Sequence, residues 1–298
     1  MSFRSSNICR CVFVFVFATL IGEAAAQWVR KPSSRELKSI PGLKHETFLC
    51  KAMKTQVGYC VVLPPSYSKS KARYPVVYWL HGGGGNETSS LSTAATWQRL
   101  YKGRKAKEVI LVYPNGNRSG YMDHFDRKKM AETMIIRELI PLIDKRYRTI
   151  ANRRGRAVHG FSMGASGALK FAMKYPEMFC AAVAYGGGSI DLEQDKSKFI
   201  RDVLELYLKS DPKLIRQNNT FHFLKKNQAR VRKLGVRFLL VCGKRDSWMK
   251  SAVDFQAALR AKKIPCELLS VPKAGHSLSQ LTRAQGKAAA LFQDKMFR

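Results

Sequence analysis

The sequence runs to 298 residues with 45% apolar and 25% charged side chains, enough to bury a large core and inconsistent with a disordered or fibrous chain. Lysine and arginine number 53 against 21 aspartates and glutamates, giving a formal charge of +32. The cations are scattered over several connections without nucleic-acid motifs or interleaved stacking aromatics, so the charge reads as a solvated surface, with acidic polysaccharide or an anionic envelope as its alternative partner, and no nucleic acid.

Residues 1–26 begin with Arg4 and Arg10, continue through an apolar run at 11–21 and end in Ala24, Ala25 and Ala26. This pattern reads as a secretory signal cleaved after Ala26, which would make the mature protein secreted or periplasmic. The run is too short to span a bilayer, and no later stretch reaches spanning length, so no transmembrane segment is expected. Residues 27–43 are polar, basic and interrupted by Pro32 and Pro41, an irregular lead-in to a single domain at 44–298. Strand-like stretches at 47–51 and 57–63 flank a polar turn and predict a hairpin at a sheet edge. Wholly apolar runs at 75–80, 109–113 and 180–185 read as strands buried on both faces, each closed by a glycine or proline turn. Helices are expected at 94–102, 165–174, 199–208, 213–228, 251–261 and 280–296, and a further one from Met130 that Pro141 kinks or restarts. Residues 156–159 read as the fifth strand, ahead of the one at 180–185, and strands at 236–242 and 266–271 follow. Residues 189–234, longer and more polar than the other connections, are read as a helical insertion over the active face. The alternation predicts eight strands in a mostly parallel sheet with helices on both faces.

Five cysteines follow the signal. Cys180, Cys242 and Cys266 sit in apolar runs, whereas Cys50 and Cys60 flank the predicted hairpin turn and leave a disulfide open. No spacing suits a metal, and no phosphate-loop or dinucleotide fingerprint appears, so no metal and no cofactor are expected. Asn86, Asn117 and Asn218 match N-x-Ser/Thr.

The chemistry gathers around Gly160-Phe161-Ser162-Met163-Gly164, placed between the fifth strand and a helix. This is a G-x-S-x-G elbow, whose turn needs residues with almost no side chain beside the serine. Reactive groups of parallel sheets collect at the carboxyl ends of strands, where Asp246 follows the seventh and His276 the eighth. A serine hydroxyl is a poor nucleophile until an imidazole takes its proton, and a carboxylate fixes that imidazole's tautomer, so Ser162, Asp246 and His276 are assigned as catalytic. Met163 N–H and a backbone N–H of the His81-Gly82-Gly83-Gly84-Gly85 loop, placed at Gly83, are assigned as oxyanion donors. Among the other histidines, His159 is placed within the sheet and His81 beside its glycine loop, while His45, His124 and His222 are given surface positions.

With these residues in place, the chain resembles the α/β-hydrolase superfamily. The resemblance runs from about His45 to the C-terminus and is to the esterase family that includes esterase D, the mycobacterial antigen 85 acyltransferases and bacterial feruloyl and acetylxylan esterases. It is carried by Leu63-Pro64-Pro65-Ser66-Tyr67, Tyr74 to Tyr78 leading to His81-Gly82, Tyr113-Pro114-Asn115-Gly116, Glu138-Leu139-Ile140-Pro141 and the elbow. It departs at Ala165, where members usually carry a second glycine. The resemblance implies the α/β-hydrolase fold and a serine esterase, with acyl transfer to a sugar alcohol as a minority activity. The expected substrate is a small or polysaccharide-linked ester bearing short acyl, acetyl or feruloyl groups. A polyester depolymerase or acyltransferase with the same triad, and a non-catalytic polyanion-binding protein, are the alternatives.

Overall fold

A computed structural model describes residues 28–103 and 105–297. The signal read at 1–26 lies outside the described residues. Strands β1 (Leu43–Cys50), β2 (Thr55–Val62), β3 (Val76–Leu80), β4 (Ile110–Pro114), β5 (Arg156–Phe161), β6 (Ala181–Tyr185), β7 (Arg237–Gly243) and β8 (Cys266–Val271) form one sheet in the order β1-β2-β4-β3-β5-β6-β7-β8. The β1–β2 and β2–β4 pairs are antiparallel, and every other pair is parallel. The mostly parallel, eight-stranded arrangement expected from the apolar runs is therefore present.

Successive side chains of a strand point to opposite faces, and each face here has its own core. Tyr78, Leu80, Val158, Ala184, Phe238 and Leu240 fall on one side, Val77, Trp79, Ala157, Val183, Leu239 and Val241 on the other. Burial of each large apolar side chain contributes about 1.5–3 kcal/mol, so helices covering both faces are what make such strands viable. The second face is closed by α2 (Ala94–Lys102) and α9 (Leu278–Asp294). The first is closed by α3 (131–146), α4 (Met163–Lys174), α7 (Thr220–Leu234) and α8 (Met249–Ala261). In α3 the backbone widens into a π-helical turn at Met134–Leu139 before Pro141, which has no N–H to donate. Glu138, from that turn, accepts the N–H groups of Lys51 (2.7 Å) and Ala52 (2.9 Å) and so closes the tip of the β1–β2 hairpin.

Several elements differ from the sequence reading. Within the lead-in, α1 (Ser34–Ser39) forms on a capping box between Ser33 and Glu36. The single helix expected at 213–228 is two, α6 (Pro212–Asn218) and α7. Asp211 caps the first, and Asn219 breaks the run to cap the second through the Phe221 N–H (3.1 Å). The stretch read as one insertion divides accordingly, with α5 (Lys198–Leu208) and α6 peripheral and α7 packed on α4. Cys50 and Cys60 do not face each other: the hairpin register puts Cys50 opposite Thr55 and Cys60 opposite His45, with the two thiols in different cores. All five cysteines of the described residues are free and buried.

Candidate active site

The site lies where β5 turns into α4. Ser162 has φ 55° and ψ −115°, a left-sided conformation that costs a non-glycine residue about 1–3 kcal/mol and persists only when its surroundings enforce it. Its N–H donates to Tyr185 O (2.9 Å) on β6, and its carbonyl accepts the Ala165 and Ser166 N–H groups. Its hydroxyl makes no capping bond to the helix, which removes the ordinary structural role for a serine at that position. The flanking glycines are steric requirements. A Cβ on Gly160 would lie 2.0 Å from Gly164 O, and one on Gly164 would lie 2.1 Å from Leu80 O. Ala165 is fully buried and does not prevent the helix from starting at Met163.

Three residues distant in sequence meet at this point. Ser162 Oγ lies 2.8 Å from His276 Nε2, and His276 Nδ1 lies 2.9 Å from Asp246 Oδ2. Asp246 Oδ1 accepts the Trp248 N–H (2.9 Å), an Asx turn that fixes the carboxylate plane. The loops carrying acid and base are themselves bonded, Arg245 N–H to Ala274 O at 3.0 Å. Asp246 is buried, which opposes its charge. Hydrogen bonds from His276 and the Trp248 N–H outweigh that and hold the carboxyl below its ordinary value. Cys242 lies beneath it, its thiol pushed up to about 12 by burial and then by the Asp246 charge. A carboxylate can only accept, so Nδ1 carries the hydrogen and Nε2 presents its lone pair to the serine.

The glycine loop abuts the elbow, since a Cβ on Gly82 would meet the Phe161 ring at 3.0 Å. Gly83 is exposed at the corner of a turn closed by Gly85 N–H on Gly82 O (3.0 Å). Met163 is the first residue of α4, and its N–H has no acceptor within the helix. His81 is buried and latches this loop: Nδ1 is 2.8 Å from Gly82 O, and Nε2 accepts the Gly116 N–H (2.9 Å). Burial drives its pKa down to about 4, only partly offset by the Gly82 carbonyl. His159 is buried in the sheet. His124, given a surface position from the sequence, is buried as well, because its ring stacks on Tyr207 of α5 (4.3 Å between centroids). The Phe161 ring lies 4.8 Å from the His276 ring, and Trp248, two residues after Asp246, meets Phe199 edge-on at 5.7 Å. Phe161 and Trp248 were not singled out from sequence, although each lies within two residues of a candidate reactive group.

The family model described as "Putative esterase" matches residues 50–278, most of the chain. The chain belongs to this esterase family. An esterase of Mycobacterium tuberculosis (strain H37Rv) is 36% identical over 151 residues, 49% of this chain and 32% of the relative. An endo-1,4-beta-xylanase/feruloyl esterase of Xylanibacter ruminicola is 34% identical over 147 residues, 46% of this chain and 20% of the relative. The matches thus span a third or less of those curated relatives. Among solved structures, a ferulic acid esterase superposes with a TM-score of 0.72 at 26% identity, over 86% of this chain and 98% of that one. An S-formylglutathione hydrolase from Agrobacterium tumefaciens gives the same TM-score at 18% identity over 86% and 95%, a likeness of fold. The esterase-family fold is that of an α/β-hydrolase. Among the described residues of this esterase-family chain, no helix is long and apolar enough to cross a membrane, and no group of His, Cys, Asp or Glu is arranged to hold a metal.

Proposed function

We propose that this esterase-family chain is a serine carboxylester hydrolase acting on feruloyl-type or short acyl esters, including esters carried on polysaccharide. The observation that carries the reading is the unbroken hydrogen-bonded path from Ser162 Oγ through His276 to Asp246, built on a strained elbow that gives the serine no structural employment. Ser162 attacks the ester carbonyl while His276 Nε2 takes the hydroxyl proton. Asp246 holds the imidazole in the required tautomer and stabilises the imidazolium. The Met163 and Gly83 N–H groups receive the developing oxyanion. The imidazolium then protonates the departing alcohol, leaving an acyl-serine, and water activated by the same nitrogen releases the acid. The ring of Phe161 beside the base favours a flat aromatic acyl group, in keeping with the names of the feruloyl and ferulic acid esterases it resembles.

The test is hydrolysis of methyl ferulate and 4-nitrophenyl acetate by wild type and Ser162→Ala. Loss of the nucleophile lowers kcat by about 10⁴–10⁶. Turnover of both esters retained in Ser162→Ala overturns the reading. Residues 1–26 belong to the same proposal as an export signal, checked by N-terminal sequencing of the secreted protein, which should begin at Gln27.

A further inference from the structure

We infer that Arg118, with Lys129 behind it, forms a subsite for an anionic group carried by the ester substrate. The inference rests on the esterase reading and names what that site selects. Arg118 sits at the exposed tip of the turn that follows β4. The turn is rigidly specified. Asn117 and Tyr121 take left-handed backbone angles (φ 47° and 53°), Asn117 N–H donates to Asn115 Oδ1 (2.9 Å), and Ser119 bridges Gly116 O (2.6 Å) and Tyr121 N–H (3.0 Å).

This turn is one piece with the glycine loop, through Gly116 N–H on His81 Nε2 and the Tyr121 hydroxyl on His81 O (3.1 Å). The Arg118 guanidinium consequently lies against Gly84: a Cβ built there would be 3.3 Å from Nη2 and 4.0 Å from Cζ. That position is next to Gly83, the residue assigned to the oxyanion.

Arg146 pairs with Glu46, and buried Arg156 pairs with Asp144. Among the described residues, the Arg118 guanidinium has neither an ion pair nor a hydrogen-bond acceptor. The carboxylates of its own loop are occupied, Asp123 by the Thr133 N–H and hydroxyl (3.0 and 2.6 Å) and Asp126 by the Lys128 N–H (3.0 Å). A second cation lies on the same turn: half-buried Lys129 donates from Nζ to Arg118 O (3.5 Å). Tyr207 of α5, stacked on His124, is close enough for the Arg118 charge to act on its hydroxyl. A planar guanidinium fork carried on this fixed turn suits a carboxylate, sulfate or phosphate.

Two matched pairs of esters place the anion on either side of the scissile bond. Mono-4-nitrophenyl adipate against 4-nitrophenyl hexanoate tests the acyl side, and feruloyl glycolate against methyl ferulate tests the alcohol side. In one pair the ratio of kcat/KM for the anionic over the neutral ester falls about tenfold in Arg118→Gln, as loss of one charge-assisted hydrogen bond requires, and falls also at 0.5 M salt. Lys225→Gln, an exposed cation on α7, leaves the ratio as in wild type. An unchanged ratio in both pairs for Arg118→Gln, or an equal fall in Lys225→Gln, overturns the subsite. Calorimetry of the same esters on Ser162→Ala and on Ser162→Ala/Arg118→Gln reads the subsite without turnover. If wild type hydrolyses nothing, the esterase reading fails, while about tenfold weaker binding of the anionic ester alone still upholds the subsite and equal Kd values overturn it.

Discussion

Acidification should destabilise this fold well above the range in which its carboxylates titrate. His159, on β5 one residue from Gly160, is buried between Trp79 (5.2 Å) and Tyr185 (6.2 Å), and neither ring nitrogen has a hydrogen-bond partner. Burial holds its pKa down at about 3, and burial likewise holds His81 at about 4. In the unfolded chain each histidine takes up a proton below about pH 6.5. The folded chain binds none until near pH 4 or 3, so the unfolded state carries more protons and stability falls as pH drops through 6.5. The slope is about 1.36 kcal/mol per pH unit for each site. Both sites remain neutral in the fold at pH 5, so from pH 7 to 5 each costs about 2 kcal/mol and the pair about 4 kcal/mol, a large part of the 5–15 kcal/mol typical of a domain. Glu46 and Glu132 have lowered values, so their contribution is lost only as pH falls below the ordinary carboxylate range, outside this window. Urea denaturation at pH 7, 6 and 5 measures the effect. His159→Phe, which replaces an unpartnered imidazole with an apolar ring, should remove about 2 kcal/mol of the loss. An identical pH slope in wild type and variant would refute the reasoning.

Two further outcomes follow from the geometry. Asp246→Asn leaves the fold intact by circular dichroism but donates to His276 Nδ1 and stabilises the wrong tautomer, lowering kcat by about 10⁴ in the methyl ferulate assay. Glu132 is buried between Lys170 (2.8 Å) and Lys174 (2.5 Å), and its carboxyl stays below the ordinary value because the two ammonium charges overcome the burial. Glu132→Gln strands the Lys170 ammonium inside the protein and costs about 3–5 kcal/mol, read as a fall in Tm; a change below about 1 kcal/mol would contradict the burial described here.

What was legible in the sequence was set by short-range rules. The runs Val76–Leu80, Ile110–Pro114 and Ala181–Tyr185 are apolar without alternation because both faces of those strands are covered, and that pattern needs no knowledge of the neighbours. Asp246 and His276 stood out from other acids and histidines because each follows the end of a strand, and the structure brings both to Ser162. What escaped depended on partners far away in the chain. His124 is buried by Tyr207, whose helix no local signal aims at it, and Arg118 acquires its meaning from Gly84 across a turn held by His81. Residues 212–234 form helices equally well on either side of Asn219, so only the capping bond reveals the break. Hairpin register, set by side-chain faces, separated two cysteines that sequence spacing had left adjacent.

The order of strands distributes the site unequally. The nucleophile follows β5, in the middle of the sheet, whereas the base follows β8, the outermost strand, whose residues are mostly only half-buried. Opening free energies in a fold are lowest where few buried contacts hold a segment. Excursions in which the β8 margin peels away would carry His276 off while Ser162 remains in place, so loss of activity on mild heating or in dilute denaturant should run ahead of loss of the sheet. Durability of this enzyme would then be a property of its margin, and strengthening the seam between β7 and β8 would extend working lifetime more than any repacking of the centre.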